Sequence, residues 1–378
     1  MAMHEVVFYP VGNGDTSQIV LDNGKRLLFD YRHVKQSETG ESPCINLKKR
    51  LTDELKEAGR DYFDVVAFTH GDDDHIANST EFFELLHADK YQGKGRIKIR
   101  ELWVPAAMIL ETGTSEQQSS EFVIWRQEAR HRLKEGKGVQ VFSKPDMLKE
   151  WLADNGLTVE SRRHLITDAG QLAKGFTLQA DKVEFFCHSP FVKHVDEGDN
   201  LRNEASLIFQ VRMEIDGART DYLAVGDSKH DVLEDIVDIT EYHKNMDRLH
   251  WNLYNIPHHC SAYALAPDKG KRETVPTPKV EKLLLLGQRE AYIVSSSDPI
   301  PDTEEAYDQK MPPHIQAKKA YVKYLEKVGG RKFLVTMEEP NQRKPEPIVF
   351  EITGLGCNIK RAASGAAAII SSVAPRAG

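Results

Sequence analysis

The segment Asp64 to Phe68 is a short, largely apolar run, and Thr69-His70-Gly71-Asp72-Asp73-Asp74-His75 follows it at once. A run of this length reads as a short buried strand, which places the polar cluster in the loop at its end. Imidazole and carboxylate are suitable ligands for zinc or manganese, and this one loop offers four: His70, Asp72, Asp74 and His75. The competing reading makes Asp72 to Asp74 the solvated N-terminal cap of a helix, where the helix dipole favours acidic side chains. Similar residues recur at other strand ends. Asp30 follows Arg26 to Phe29, Asp227 follows Asp221 to Val225, and His258-His259 follow Trp251 to Ile256.

Composition narrows the classes. The 378 residues carry 50 Lys and Arg against 58 Asp and Glu, a formal charge of -8, so a histone-like polycation is excluded. With 40% hydrophobic and 29% charged residues the chain is neither disordered by composition nor a membrane protein. No stretch approaches the roughly 18 consecutive apolar residues of a span, and Met1 to Val7 lacks a basic region followed by an apolar run. A cytoplasmic protein is expected. Cys44, Cys187, Cys260 and Cys357 are far apart and form no CxxC pair, so reduced thiols are the default.

Glu5 to Val11 and Ser17 to Leu21 are β-rich, and Asp22-Asn23-Gly24 predicts a hairpin into Arg26 to Phe29. Helices are expected at Leu47 to Ala58, Asn78 to His87, Ser119 to Glu135, Met147 to Asn155 and Ile315 to Val328. Further strands are expected at Ile97 to Val104, Val183 to Cys187, Ser206 to Ile215, Asp221 to Val225 and Ala291 to Ser295. Lys332 to Thr336 and Ile348 to Ile352 are expected to form a final β-pair. The order suggests an α/β chain with two sheets sandwiched between helices. It is read as a single domain over residues 1–360, with insertions near 112–157 and 269–303, and a flexible tail over 361–378.

The cluster Thr69 to Ile76 resembles the metal motif of the metallo-β-lactamase superfamily. More narrowly it resembles the branch containing the nuclease-like domain of the DNA-uptake channel ComEC, which has Asp where many members have a second His. Val11-Gly12-Asn13-Gly14-Asp15 resembles that branch's opening turn, Leu28-Phe29-Asp30 its strand-terminal Asp, and Asn203-Glu204-Ala205-Ser206-Leu207 its Asn-x-x-Ser-Leu segment. Gly226-Asp227 resembles the bridging aspartate, Pro257-His258-His259-Cys260-Ser261 the PHHGS motif, and, weakly, Pro312-Pro313-His314 a later turn. The resemblance implies an αββα sandwich with one or two divalent ions, zinc or manganese, at one edge of the paired sheets. It implies His70 and Asp72 at one ion, Asp74 and His75 at the other, Asp227 between them, and His259 as the remaining ligand. His258 would then face substrate or support the ligands, with the reverse assignment open, since adjacent histidines on an extended segment point in opposite directions. Asn203 falls near a position where other members place a histidine. An amide oxygen is a poorer zinc ligand, and the oxygen-rich set shifts the balance toward manganese or magnesium.

Such a site needs no serine or cysteine nucleophile, because a divalent ion lowers the pKa of bound water from about 15.7 to about 7. Asp74, His258 and Asp30 are the candidate catalytic residues, the last two for proton traffic or the leaving oxygen. His188, at a strand end, is a weaker candidate ligand, and Cys260 reads as a small buried hydrophobe. Basic runs at Lys94 to Arg100, Arg126 to Lys137 and Lys269 to Arg272 are read as solvated surface, although a phosphate-binding groove is the alternative. The resemblance points to phosphodiester hydrolysis on a nucleic-acid substrate, DNA or RNA, away from membranes. A small-molecule phosphodiesterase or lactonase, and a catalytically weak binding or regulatory module, are the alternatives. Self-association and protein partners are left open.

Overall fold

The computed structural model describes residues 2–111, 119–191 and 205–360. Asn203, the acidic loop Asp196 to Asp199, His194 and the tail from 361 lie outside the described residues. The strands are β1 (His4–Phe8), β2 (Ser17–Val20), β3 (Arg26–Phe29), β4 (Tyr62–Ala67), β5 (Lys98–Pro105), β6 (Val139–Phe142), β7 (Ile166–Thr167) and β8 (Val183–Ser189). They continue with β9 (Ile208–Ile215), β10 (Ala218–Val225), β11 (Trp251–Asn255), β12 (Gly287–Ser295), β13 (Lys332–Val335), β14 (Ile348–Thr353) and β15 (Gly356–Ile359). One sheet has the order β15-β14-β1-β2-β3-β4-β5-β6-β7, the other β13-β12-β11-β10-β9-β8.

Side-chain alternation turns these sheets into a layered α/β structure. Val65 and Ala67 of β4 face the second sheet, packing with Phe185, Phe209 and Tyr222, while Val66 joins Leu47, Leu51 and Leu55 of the helix Leu47–Glu57 on the opposite face. That helix starts cleanly because the Asn46 side chain accepts a hydrogen bond from the Lys49 amide at 3.0 Å. In the second sheet Leu253 points inward and Tyr254 outward, against Ala317, Ala320 and Tyr321 of the helix Ile315–Lys327. Three apolar layers result, with helices on both outer faces and two sheets between. Trp103 sits in the middle layer, its ring 5.3 Å from Phe185 and 5.6 Å from Phe209.

The Asp22-Asn23-Gly24 hairpin forms, with Val20 opposite Arg26. Asp216 and Gly217 join β9 to β10 with φ of 50° and 81°, as a type I′ turn requires. Two expectations fail. The helix expected over Asn78 to His87 is a single 3-10 turn, Ser79–Glu81, after which Phe83 bridges Ile97; Asn78 is left-handed at φ 61° and prevents a regular start. The expected final β-pair does not pair: β13 lies parallel to β12 in the second sheet, whereas β14 lies antiparallel to β1 in the first. The ranges 112–157 and 269–303 contain the sheet strands β6 and β12. Among the described residues no helix is long and apolar enough to cross a membrane.

Strands β3, β4 and β5 run parallel, as do β10, β11 and β12. Their carboxyl ends meet at one edge of the two sheets, where the Leu207 amide donates to the Thr69 carbonyl at 2.9 Å. The carboxyl edge of parallel strands is where open α/β sheets place their ligands.

Candidate metal centre

Strand β4 delivers Thr69 and His70, and the short helix Asp73–Ile76 turns Asp74 and His75 back over the strand end. Beside it, β3 ends on Asp30, whose left-handed φ of 56° is a strained conformation for a residue with a Cβ. The Asp30 carboxylate is buried and accepts three hydrogen bonds of 2.7 Å, from the Thr69 amide, the Thr69 hydroxyl and His75 Nδ1. With Nδ1 committed to Asp30, His75 turns Nε2 to the site as its ligand atom. His259 is fixed in the same sense, since its Nδ1 donates to the Ser296 carbonyl at 2.8 Å while Nε2 lies 3.1 Å from Asp74 Oδ2 and 3.5 Å from Asp227 Oδ2.

From the second sheet, β10 supplies Asp227 through Gly226. A Cβ on Gly226 would stand 3.1 Å from the Cβ atoms of both Thr69 and Ser206, so glycine lets the two sheet ends approach. Asp227 Oδ1 then lies 3.2 Å from His75 Nε2. Although close, the two atoms make no hydrogen bond, and His70 Nε2 is likewise buried without a partner. Such orphaned buried polar atoms are costly unless something satisfies them.

Two overlapping donor groups emerge. Asp15, His75, Asp227 and His259 form one, and His70, Asp74, His75 and Asp227 the other, with the ligand atoms of each group within 4.8 Å of one another. Buried imidazole nitrogens and carboxylate oxygens at these separations, several of them without hydrogen bonds, fit a divalent cation. Asp72 lies 3.7 Å from His70 Nε2, its side chain about a third exposed, and so stands at the rim.

The electrostatics agree. Burial opposes charge on His75 and His259, but Asp227, joined by Asp30 and Asp74 at the first and by Asp74 and Asp15 at the second, raises both well above the ordinary imidazole range. Burial likewise resists ionising Asp227, yet His259 and His75 hold its carboxyl well below the usual range. The carboxylates that favour positive charge on these two rings would equally favour a divalent cation among them. Burial, with His75 adding to it, lowers His70 and keeps it neutral.

The segment 258–260 departs from expectation. His258, His259 and Cys260 have φ of 50°, 52° and 66°, a left-handed turn with no glycine in it. Because the backbone is coiled rather than extended, the adjacent imidazoles do not point in opposite directions. Both approach Asp227, His258 Nε2 at 3.8 Å and His259 Nε2 at 3.5 Å, with ring planes 84° apart. His258 is a quarter exposed and faces the mouth. His314 braces the turn, its amide donating to the Cys260 carbonyl at 3.0 Å and its Nδ1 accepting from the Ala262 amide at 3.1 Å. The Cys260 thiol is buried, and burial pushes its pKa up.

The structure therefore brings His70, Asp72, Asp74, His75, Asp227, His258 and His259 together, with Asp30 behind them. It leaves His188 elsewhere, hydrogen-bonded through Nε2 to the Arg248 carbonyl at 2.9 Å. Sequence reasoning missed Asp15, which belongs to the first donor group. Its place at the end of the glycine turn was the available signal.

No protein-family model and no curated protein sequence matches the chain. Among solved structures it is similar to the metallo-β-lactamase SMB-1 bound to 2-mercaptoethanesulfonate, at 12% identity over 67% of this chain and 79% of that one, TM-score 0.31. It is similar to a diphosphatase of the PhnP family at 11% identity over 95% and 100%, TM-score 0.32. A third is a class B3 di-zinc metallo-β-lactamase from an Alaskan soil metagenome, at 10% identity over 85% and 90%, TM-score 0.29.

Proposed function

We propose that this chain is a metal-dependent hydrolase that cleaves phosphodiester bonds with water as nucleophile, and that its substrate is DNA or RNA. The observation that carries the hydrolase reading is the pair of donor groups sharing His75 and Asp227, with unsatisfied Nε2 and Oδ atoms turned toward one another. Divalent cations, zinc or manganese, would supply Lewis acidity toward a phosphoryl oxygen and acidify water. His70, His75, His259, Asp74 and Asp227 would hold them, with Asp72 at the rim. Asp30 acts through His75, which it orients. His258, exposed at the mouth beside Asp227, is placed to move a proton to or from a departing oxygen. The nucleic-acid assignment comes from the motif resemblance to the ComEC branch.

One observation favours a second reading, hydrolysis of a small phosphodiester. Many cations of the basic runs already have partners, within the fold or at its surface. Arg132 is buried against Glu128, Arg100 pairs with Asp64, Lys98 with Asp61, Arg272 with Glu304, and Lys269 donates to the carbonyls of Tyr307 and Gln309. Cations so engaged contribute little counterion release on a nucleic acid.

The test is metal analysis of freshly purified protein, followed by plasmid and RNA cleavage beside a panel of small phosphodiesters, with manganese or zinc added. Nucleic-acid cleavage abolished by Asp227→Ala supports the proposal. Turnover of the small panel alone moves the substrate to the second reading. Inactivity of wild type across both sets and both metals makes the chain a binding or regulatory module.

A further inference from the structure

We infer that Asp15 is an additional carboxylate ligand of the ion held by His75, Asp227 and His259, so that this position takes a second carboxylate beside Asp227. The inference rests on the proposed metal dependence and goes beyond it by assigning a residue and a metal preference.

Gly12 to Asp15 leaves β1 and crosses the mouth; the Asp15 amide donates to the Asp74 carbonyl at 3.2 Å, so the turn is tied to the loop that carries Asp74 and His75. A Cβ on Gly14 would lie 2.6 Å from that same carbonyl oxygen, so glycine is what permits the approach. The Asp15 carboxylate is buried. Its Oδ1 accepts from Asn255 Nδ2 at 3.3 Å, and Asn255 Oδ1 in turn accepts from the Ser296 hydroxyl at 3.4 Å. With Oδ1 oriented by an amide, Oδ2 turns to the site, 3.9 Å from His75 Nε2. It also lies 3.8 Å from His259 Nδ1, but that nitrogen is engaged with Ser296, so Asp15 enters the donor set through His75 and Asp227.

Two further points separate a ligand from a merely buried acid. Among the described residues the ion-pair partners of Asp15 are the histidines of the site, with no lysine or arginine to neutralise it. The nitrogen it faces, His75 Nε2, is buried without a hydrogen-bond partner. Donor atoms around an ion with bonds of about 2.0 to 2.2 Å stand about 3 to 4 Å apart, and the separations among His75, His259, Asp74 and Asp227 run from 3.1 to 4.0 Å. Four donors of this kind suit tetrahedral zinc. A further donor supplied as carboxylate makes the set richer in oxygen and favours a harder ion, of which manganese is the relevant one.

The experiment uses metal-depleted full-length protein. Mn2+ binding is followed by the EPR signal of the free ion, and Zn2+ binding by competition with a chromophoric chelator, for wild type, Asp15→Asn and Asp15→Glu. Circular dichroism of the metal-free proteins checks the fold. The expected result is a loss of Mn2+ affinity of tenfold or more in Asp15→Asn, a smaller loss for Zn2+, and partial recovery of Mn2+ binding in Asp15→Glu. Unchanged Mn2+ affinity in Asp15→Asn overturns the inference, as does an equal loss of both metals in both variants, which marks a structural role. If Asp15→Asn fails to fold, Asn255→Ala, which frees the carboxylate from its amide, takes its place: lowered Mn2+ affinity supports the inference and wild-type affinity overturns it. Wild type that binds neither metal defeats the proposed function itself, an outcome distinct from the others.

Discussion

Replacing Asp30 by asparagine tests how the imidazoles are aimed. The substitution keeps the shape of a side chain that accepts 2.7 Å hydrogen bonds from the Thr69 amide, the Thr69 hydroxyl and His75 Nδ1. An asparagine oxygen turned to Thr69 leaves its NH2 group facing His75 Nδ1. That nitrogen must then accept, which moves the ring proton to Nε2 and turns a lone pair away from the ion. Loss of such an orienting partner weakens metal binding by about 10- to 100-fold, or about 1.4 to 2.7 kcal/mol. At a metal concentration 100 times the wild-type Kd, bound metal stabilises the wild type by about 2.7 kcal/mol. The variant should gain only about 1.4 kcal/mol for a tenfold loss and about 0.4 kcal/mol for a hundredfold one. Chemical denaturation with and without manganese measures both quantities, and direct titration supplies the Kd. An Asp30→Asn protein that is folded and stabilised by metal as fully as wild type would refute the tautomer argument.

Three more expectations follow from geometry. His188 is buried, which lowers its pKa to about 4. The unfolded chain therefore takes up the proton first, and stability is full above about pH 6.5 and lost as pH falls toward 4; urea unfolding at pH 7 and pH 4.5 should show a difference that shrinks by about 2 kcal/mol in His188→Gln. Gly71→Ala would place a Cβ 2.1 Å from the Phe122 ring; the displaced loop should lose about 1 to 3 kcal/mol and bind metal more weakly, read from thermal unfolding and titration. Trp103→Ala removes the fully buried ring between the sheets and should cost about 3 to 5 kcal/mol in a denaturant titration.

What the sequence reveals follows the range of the interactions involved. Side chains next to a strand end, such as Asp30, His70 to His75 and Asp227, stand out because strand and loop are adjacent in the chain, and the structure brings them to one edge. The turn at His258 to Cys260 does not stand out, since its left-handed backbone is held by His314 from a distant segment and no glycine announces it. Asp15 was legible as part of a turn but not as part of the donor group, because its neighbours His75, Asp227 and His259 arrive from three separate loops. The strands β13 and β14 are each visible as β-rich runs, and β14 alternates as well. Their membership in different sheets is not, since each is decided by the strand already waiting beside it.

That last pairing governs the order in which the molecule can be completed. Strand β1 hydrogen-bonds to β2 on one side and to β14 on the other, with His4 opposite Ile352. Until β14 leaves the ribosome, one flank of β1 has no mate, although its Val6 and Phe8 are destined for the layer between the sheets. The amino-terminal half therefore cannot close its own sheet during synthesis. Folding should finish late, and a nascent chain halted before residue 348 should present a sticky open flank to chaperones.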